Sequence, residues 1–142
     1  MKKGFLETEV DIAFAEFARV GDFELLGETD RVIVAVWALD GEVNNGGFEQ
    51  FYFNSSGDYA YFVPSALNLI NANQTAEIVQ EANQEFGPQG PSRNRDDRQE
   101  LLELLSADED ERLFDSYDKR FYSCHDNLDV LLTEFVSARK RK

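Results

Sequence analysis

The chain has 142 residues, 42% of them hydrophobic and 13% aromatic, which is one domain's length with enough apolar material for one core. That composition excludes a disordered chain, and a single cysteine, Cys124, excludes an internal disulfide framework and suits a reducing compartment. The 28 acidic and 14 basic residues leave a net charge of −14, which argues against nucleic acid or anionic membrane as a direct partner.

Helical periodicity dominates from the first elements onward. Val10, Phe14, Phe17 and Ala18 form one apolar stripe, and Gly21 is placed to end that helix. Glu28 to Val43 reads as a second helix, apolar all round between Val32 and Leu39, so it is expected to be the buried central element. Asn44-Asn45-Gly46-Gly47 predicts a break, since Asn and Gly tolerate the left-handed conformation. A short aromatic helix over 48–54 follows, then a second break at Ser55-Ser56-Gly57-Asp58, with Asp58 as a candidate cap.

Tyr59 to Asn71 reads as a helix with Pro64 in its first turn or splitting it. Asn73 is a candidate cap for a helix over 74–86 whose Ala76, Ile78, Val79, Ala82 and Phe86 face inward. Gly87 to Arg95 is the clearest loop. Asp96 to Leu105 is amphipathic through Leu101, Leu102, Leu104 and Leu105. Ser106 and Glu109 match a capping box, which predicts a helix carrying Leu113, Phe114, Tyr117, Phe121 and Tyr122. Asp126 is the expected cap of the last helix, with Leu128, Leu131, Leu132, Phe135 and Val136 inward. The expectation is an all-α fold, an irregular bundle of seven or eight helices forming one acidic domain over 1–138, with a basic tail at 139–142.

Catalytic and metal chemistry find little support. His125 is the sole histidine, and its neighbour Cys124 would point about 100° away on a helix, so the pair is no nucleophile and base. A structural zinc site needs four Cys or His ligands, and the acid runs do not match a calcium loop. No phosphate-binding glycine loop or nucleophile elbow is present. No catalytic residue, metal or cofactor is therefore expected. Val32 to Leu39, the longest apolar run, is far shorter than the roughly 20 residues of a membrane helix. Glu7, Glu9 and Asp11 interrupt what would be a signal segment, so a cytoplasmic protein is expected.

The string Asn44-Asn45-Gly46-Gly47-Phe48-Glu49-Gln50-Phe51-Tyr52-Phe53-Asn54-Ser55-Ser56-Gly57 stands out, with two glycine turns bracketing a dense aromatic helix. Phe48, Phe51 and Tyr52 share a face, while Gln50 and Asn54 lie four apart on another, placed to bond each other or the flanking turns. The segment reads either as packing, with aromatics in the core and amides on turn backbone, or as a ligand pocket lined by Gln50 and Asn54. It resembles the signature of a bacterial family of small acidic helical domains, long classed as a domain of unknown function, whose best-known member is a DNA mimic. The likeness runs over about residues 28–136, through Glu28 to Val36, Ala66-Leu67, the 76–82 helix, Phe114 to Tyr122 and Asp126-Asn127-Leu128. It marks Asn45, Gly46, Gly47, Phe48, Gln50, Phe51, Asn54 and Gly57 as family-defining, with no catalytic role attached.

Mimicry of DNA is consistent with the charge. Residues 4–138 carry 28 acids against 8 bases, a net −20. At one duplex charge per roughly 1.7 Å that matches about 34 Å of DNA, close to the roughly 37 Å breadth of a domain this size. Two acid-dense zones, 7–30 and 96–118, stand out. Within the second, Asp108, Glu111, Asp115 and Asp118, with Glu109 beside them, form a phosphate-like row along the helix that follows the capping box, and this row is the expected binding patch. The leading expectation is a non-catalytic module presenting this surface to a basic protein, including a DNA-binding transcription regulator. The alternatives are a small-ligand or enzyme pocket at the aromatic segment, an immunity or antitoxin protein that neutralises a basic toxin, and acidity that serves solubility alone. Self-association into a homo-oligomer stays open.

Overall fold

The computed structural model describes residues 4–107 and 113–139, which form seven α-helices and no strand. The helices are α1 (Phe5–Val20), α2 (Glu28–Phe53), α3 (Val63–Leu69), α4 (Asn73–Gln84), α5 (Arg95–Leu105), α6 (Asp115–Ser123) and α7 (Leu128–Ala138). Their packing is an all-α bundle built around α2, which touches α1, α3, α5, α6 and α7. That position follows from its sequence. Val32 to Val36 and Leu39 are buried, because a helix apolar on every side must be covered on every side. Among the described residues, no helix is long and apolar enough to cross a membrane.

Local signals place most helix ends. Gly21 closes α1 in the left-handed conformation, its N–H donating to the Phe17 carbonyl at 2.9 Å. Asn94 and Asn127 cap α5 and α7 by accepting from the Asp97 and Val130 amides. A 3₁₀ turn at Phe23–Leu25, capped by Asp22, was not apparent from periodicity.

Several expectations need correction. The segment from Tyr59 is not one helix: a 3₁₀ turn covers Ser55–Tyr59, and α3 begins only at Val63. Pro64 brings no N–H for the Ala60 carbonyl that a helix through 59–71 would require, so the helix starts around it. Asn73 lies inside α4 rather than capping it; the cap position is Ala72. Asp126 does not cap α7 but reaches α4, accepting from the Thr75 amide at 2.9 Å and the Thr75 hydroxyl at 3.0 Å. Leu104 is 69% exposed although the amphipathic pattern turned it inward. Ala18 is exposed, and Ala13 takes its place in the α1 stripe beside Val10. Ser106 ends α5, while its capping-box partner Glu109 lies outside the described residues.

Candidate functional site

The signature segment occupies the second half of α2, beyond a kink. Gly47 adopts φ 75°, ψ −178°, a region essentially confined to glycine, and there the helical hydrogen-bond ladder is interrupted. Helix α6 bridges the break. Tyr122 donates to the Val43 carbonyl at 2.6 Å on one side, and the Phe48 amide donates to Asp118 Oδ1 at 2.8 Å on the other. Tyr122 and Asp118 lie four residues apart on α6, so one helix face serves both sides of the kink. A Cβ on Gly47 would lie 2.5 Å from Asp118 Oδ2, so the second glycine makes room for this carboxylate as well as for the turn.

The far end of the segment is closed by α5. Arg98, fully buried, donates from Nε to the Tyr52 carbonyl (2.6 Å) and from Nη1 to Ser92 O (2.9 Å). Its Nη2 donates to Asn54 O and Asp58 Oδ1, both at 2.9 Å. Arg95 and Gln99 donate to the Phe53 carbonyl. The carbonyls of Tyr52, Phe53 and Asn54 belong to the C-terminal end of α2, where a cation is also favoured by the dipole. Gly57 lies against the guanidinium, its would-be Cβ 2.8 Å from Arg98 Cζ and from Tyr52 O. Asp58 thus serves as the counter-ion of Arg98 rather than as a helix cap.

Sideways, Glu42 takes both signature amides. Gln50 Nε2 and Asn54 Nδ2 donate to its Oε2 at 2.8 and 2.9 Å, instead of bonding each other or turn backbone as expected. Phe48, Phe51 and Tyr52 are fully buried and meet Tyr117, Phe121, Phe86 and Phe114 through ring contacts. The Tyr52 hydroxyl donates to Asn83 Oδ1 at 2.7 Å, and burial pushes its pKa well above the ordinary phenol value. Gly46 and Asn45 are exposed at the kink. An open groove of about 570 Å³ runs beside the segment, lined in part by Phe53 and Leu102. The signature's amides line it too, but their N–H groups are directed to Glu42.

The acids distribute unevenly. The proposed row of Asp108, Glu111, Asp115 and Asp118 required one unbroken helix, but Leu113–Phe114 form a turn and α6 begins at Asp115. Asp108, Glu109 and Glu111 lie outside the described residues. Asp118 faces inward to Phe48, and Asp115 is half-buried. On α4, Glu81 pairs with Arg120 at 2.8 Å, and Glu85, just past the helix end, accepts from the Tyr117 hydroxyl at 2.5 Å. Beside Glu85, desolvation and then that hydrogen bond push the Tyr117 pKa up to about 12. Helix α5 differs: Asp96, Asp97, Glu100 and Glu103 are all exposed, with no ion pair to a described residue. Asp96, Glu100 and Glu103 lie on the side of α5 away from Leu101 and Leu102, while Asp97 stands four residues before Leu101 at the edge of their face.

Cys124 and His125 make no hydrogen bond to each other. Cys124 Sγ lies 3.4 Å from Thr75 Oγ1, while His125 is exposed. Among the described residues no group of three or more His, Cys, Asp or Glu is placed to hold a metal.

The model of the DMP19-like protein family matches residues 24–139, which contain the kinked signature segment and the α5 and α6 contacts that hold it. The chain belongs to the DMP19-like protein family. No curated protein and no solved structure matches it. The DMP19-like match begins after α1, so family membership rests on α2 to α7 and their shared core.

Proposed function

We propose that this DMP19-like chain is a non-catalytic binding module that offers an acidic helical surface to a basic protein, as a mimic of DNA towards a DNA-binding regulator. Family membership is compatible with that reading. The observation that carries it is the exposed α5 flank. Asp96, Glu100 and Glu103 follow one another at i, i+4 and i+7, with Asp97 alongside. Side chains so spaced have Cβ atoms roughly 5–6 Å apart, which lines their carboxylates up along one flank for a cationic surface that reads phosphates. The chain's own cations are mostly engaged. Of the eight basic residues described, Arg19, Arg31, Arg93, Arg98, Arg120 and Arg139 are in ion pairs with acids of the same chain. The four further acids at 108–111 follow α5 in sequence.

The test displaces labelled duplex from basic regulators of the chain's own genome, then repeats the titration with Asp96→Asn/Asp97→Asn/Glu100→Gln/Glu103→Gln. Displacement at low salt is expected to fall at least about tenfold in the variant, with a shallower dependence on salt, because such charges act through long-range attraction. Equal displacement by parent and variant at every salt concentration would remove α5 as the surface. The signature segment is read here as the brace that fixes α5, since Arg95, Arg98 and Gln99 all grip its end.

A further inference from the structure

A second surface lies where α1, α2 and α7 meet, and it differs in kind from the α5 flank. A groove of about 590 Å³ opens between the first turn of α1, the middle of α2 and the first turns of α7. Its floor is apolar. Val130 is 51% exposed, Phe5 is 38% exposed, and Trp37, the chain's single tryptophan, is half-buried at its base. Val130 is anomalous for its helix: Leu128, Leu132 and Val136 of α7 are buried in the core, whereas Val130 points away from it. The rim is anionic, formed by the exposed carboxylates of Glu7, Asp129 and Glu134, and no cationic side chain among the described residues lines the groove. Next to it, burial and then the charge of Asp129 raise the pKa of the Asp40 carboxyl.

We propose that this groove docks one amphipathic, basic helical segment of a partner protein, its apolar ridge on Trp37, Phe5 and Val130 and its lysines or arginines against Glu7, Asp129 and Glu134. The charge decides between occupants. An anionic peptide, a nucleic acid or an acidic membrane would meet like charge on the rim, while a neutral apolar segment would leave three carboxylates partly desolvated without partners. A helix suits a channel walled by helices, with anchors at i, i+3 or i+4, and i+7 filling the floor. The groove shares no residue with the α5 flank, so either site stands if the other fails.

Trp37 supplies the readout. The full chain is titrated with a synthetic helical peptide that has leucines at i, i+3 and i+7, lysines on both flanks and no aromatic residue. A saturable change in Trp37 emission is expected, weakening as NaCl is raised. Val130→Glu, at an exposed position, is expected to keep the helical circular dichroism and weaken binding at least tenfold. Asp129→Asn/Glu134→Gln should weaken it several-fold at low salt and little at high salt. The four-residue α5 variant should bind as the parent does. The proposal is overturned if Trp37 emission shows no saturable change. It is equally overturned if a peptide with glutamates in place of the lysines binds as well, if Val130→Glu binds like the parent, or if the α5 variant loses binding.

Discussion

At Gly47 two demands meet: a backbone conformation that only glycine adopts with ease, and a carboxylate 2.5 Å from where a side chain would begin. Gly47→Ala is therefore expected to cost more than the roughly 1–3 kcal/mol of backbone strain alone. Asp118→Ala removes the cap from the Phe48 amide, a loss of about 0.5–2 kcal/mol by analogy with other N-terminal caps. The two should not add. With Asp118 gone the alanine Cβ no longer meets the carboxylate, so Gly47→Ala should be milder in the Asp118→Ala background, leaving only the strain. Urea unfolding of the parent, both single variants and the double variant measures the coupling; additivity within about 0.5 kcal/mol would show that the contact does not matter. The glycine half of this arrangement was legible in the sequence, because a Gly-Gly break is a property of the local backbone. The Asp118 half was not. Its partner is 70 residues away, and within its own helix it looks like any other solvated acid. The same holds for Asp126, which reads as a local cap and instead serves α4 from 51 residues away.

Helix α5 shows at the next scale why a charged residue misleads. By composition Arg98 belongs to a solvated, acid-rich stretch, although it stands three, four and seven positions before Leu101, Leu102 and Leu105, on their face of α5, with Arg95 at the edge of that face. Yet Arg98 is fully buried, while Arg95 is exposed. The difference arises because the end of α2 supplies carbonyls from Tyr52 and Asn54, and Asp58 supplies a counter-charge, at the spot where Arg98 enters. Arg98→Met would strand the Tyr52 carbonyl and leave the half-exposed Asp58 to water, a loss of about 1–3 kcal/mol for the unsatisfied buried acceptor. Arg98→Lys should recover little, since one ammonium cannot reproduce the fork that reaches four acceptors. Arg95→Ala, at the surface, should cost under about 1 kcal/mol. Urea midpoints rank the three, and near-equal effects of Arg98→Met and Arg95→Ala would refute the clamp. The identities of the helices were readable because amphipathic periodicity and the Gly and Pro stops are local. The clamp, and with it the orientation of the acidic flank, depends on which helix ends the tertiary packing brings together.

At the scale of the whole molecule, one quantity governs both stability and association. The net charge of −14 is carried on a surface where most described arginines are already paired, so the field beyond contact range is negative and self-repelling. Raising NaCl from about 10 to about 150 mM shortens the Debye length from roughly 30 to roughly 8 Å. That screens repulsion between distant acids more than attraction within ion pairs in direct contact. The melting temperature is therefore expected to rise with salt over this range, while affinity for a cationic partner falls. Glu100→Gln/Glu103→Gln, which changes the net charge from −14 to −12 and leaves the first-turn acids Asp96 and Asp97 on the α5 dipole, should melt higher than the parent at low salt. The two proteins should converge as salt is added. Calorimetry of both across the salt series decides the point. A melting temperature that falls with salt would mean that the ion pairs outweigh the excess acids. The net −14 would remain, so a basic partner would still be drawn to α5 and to the groove between α1 and α7, and it is the link between that field and stability that would fail.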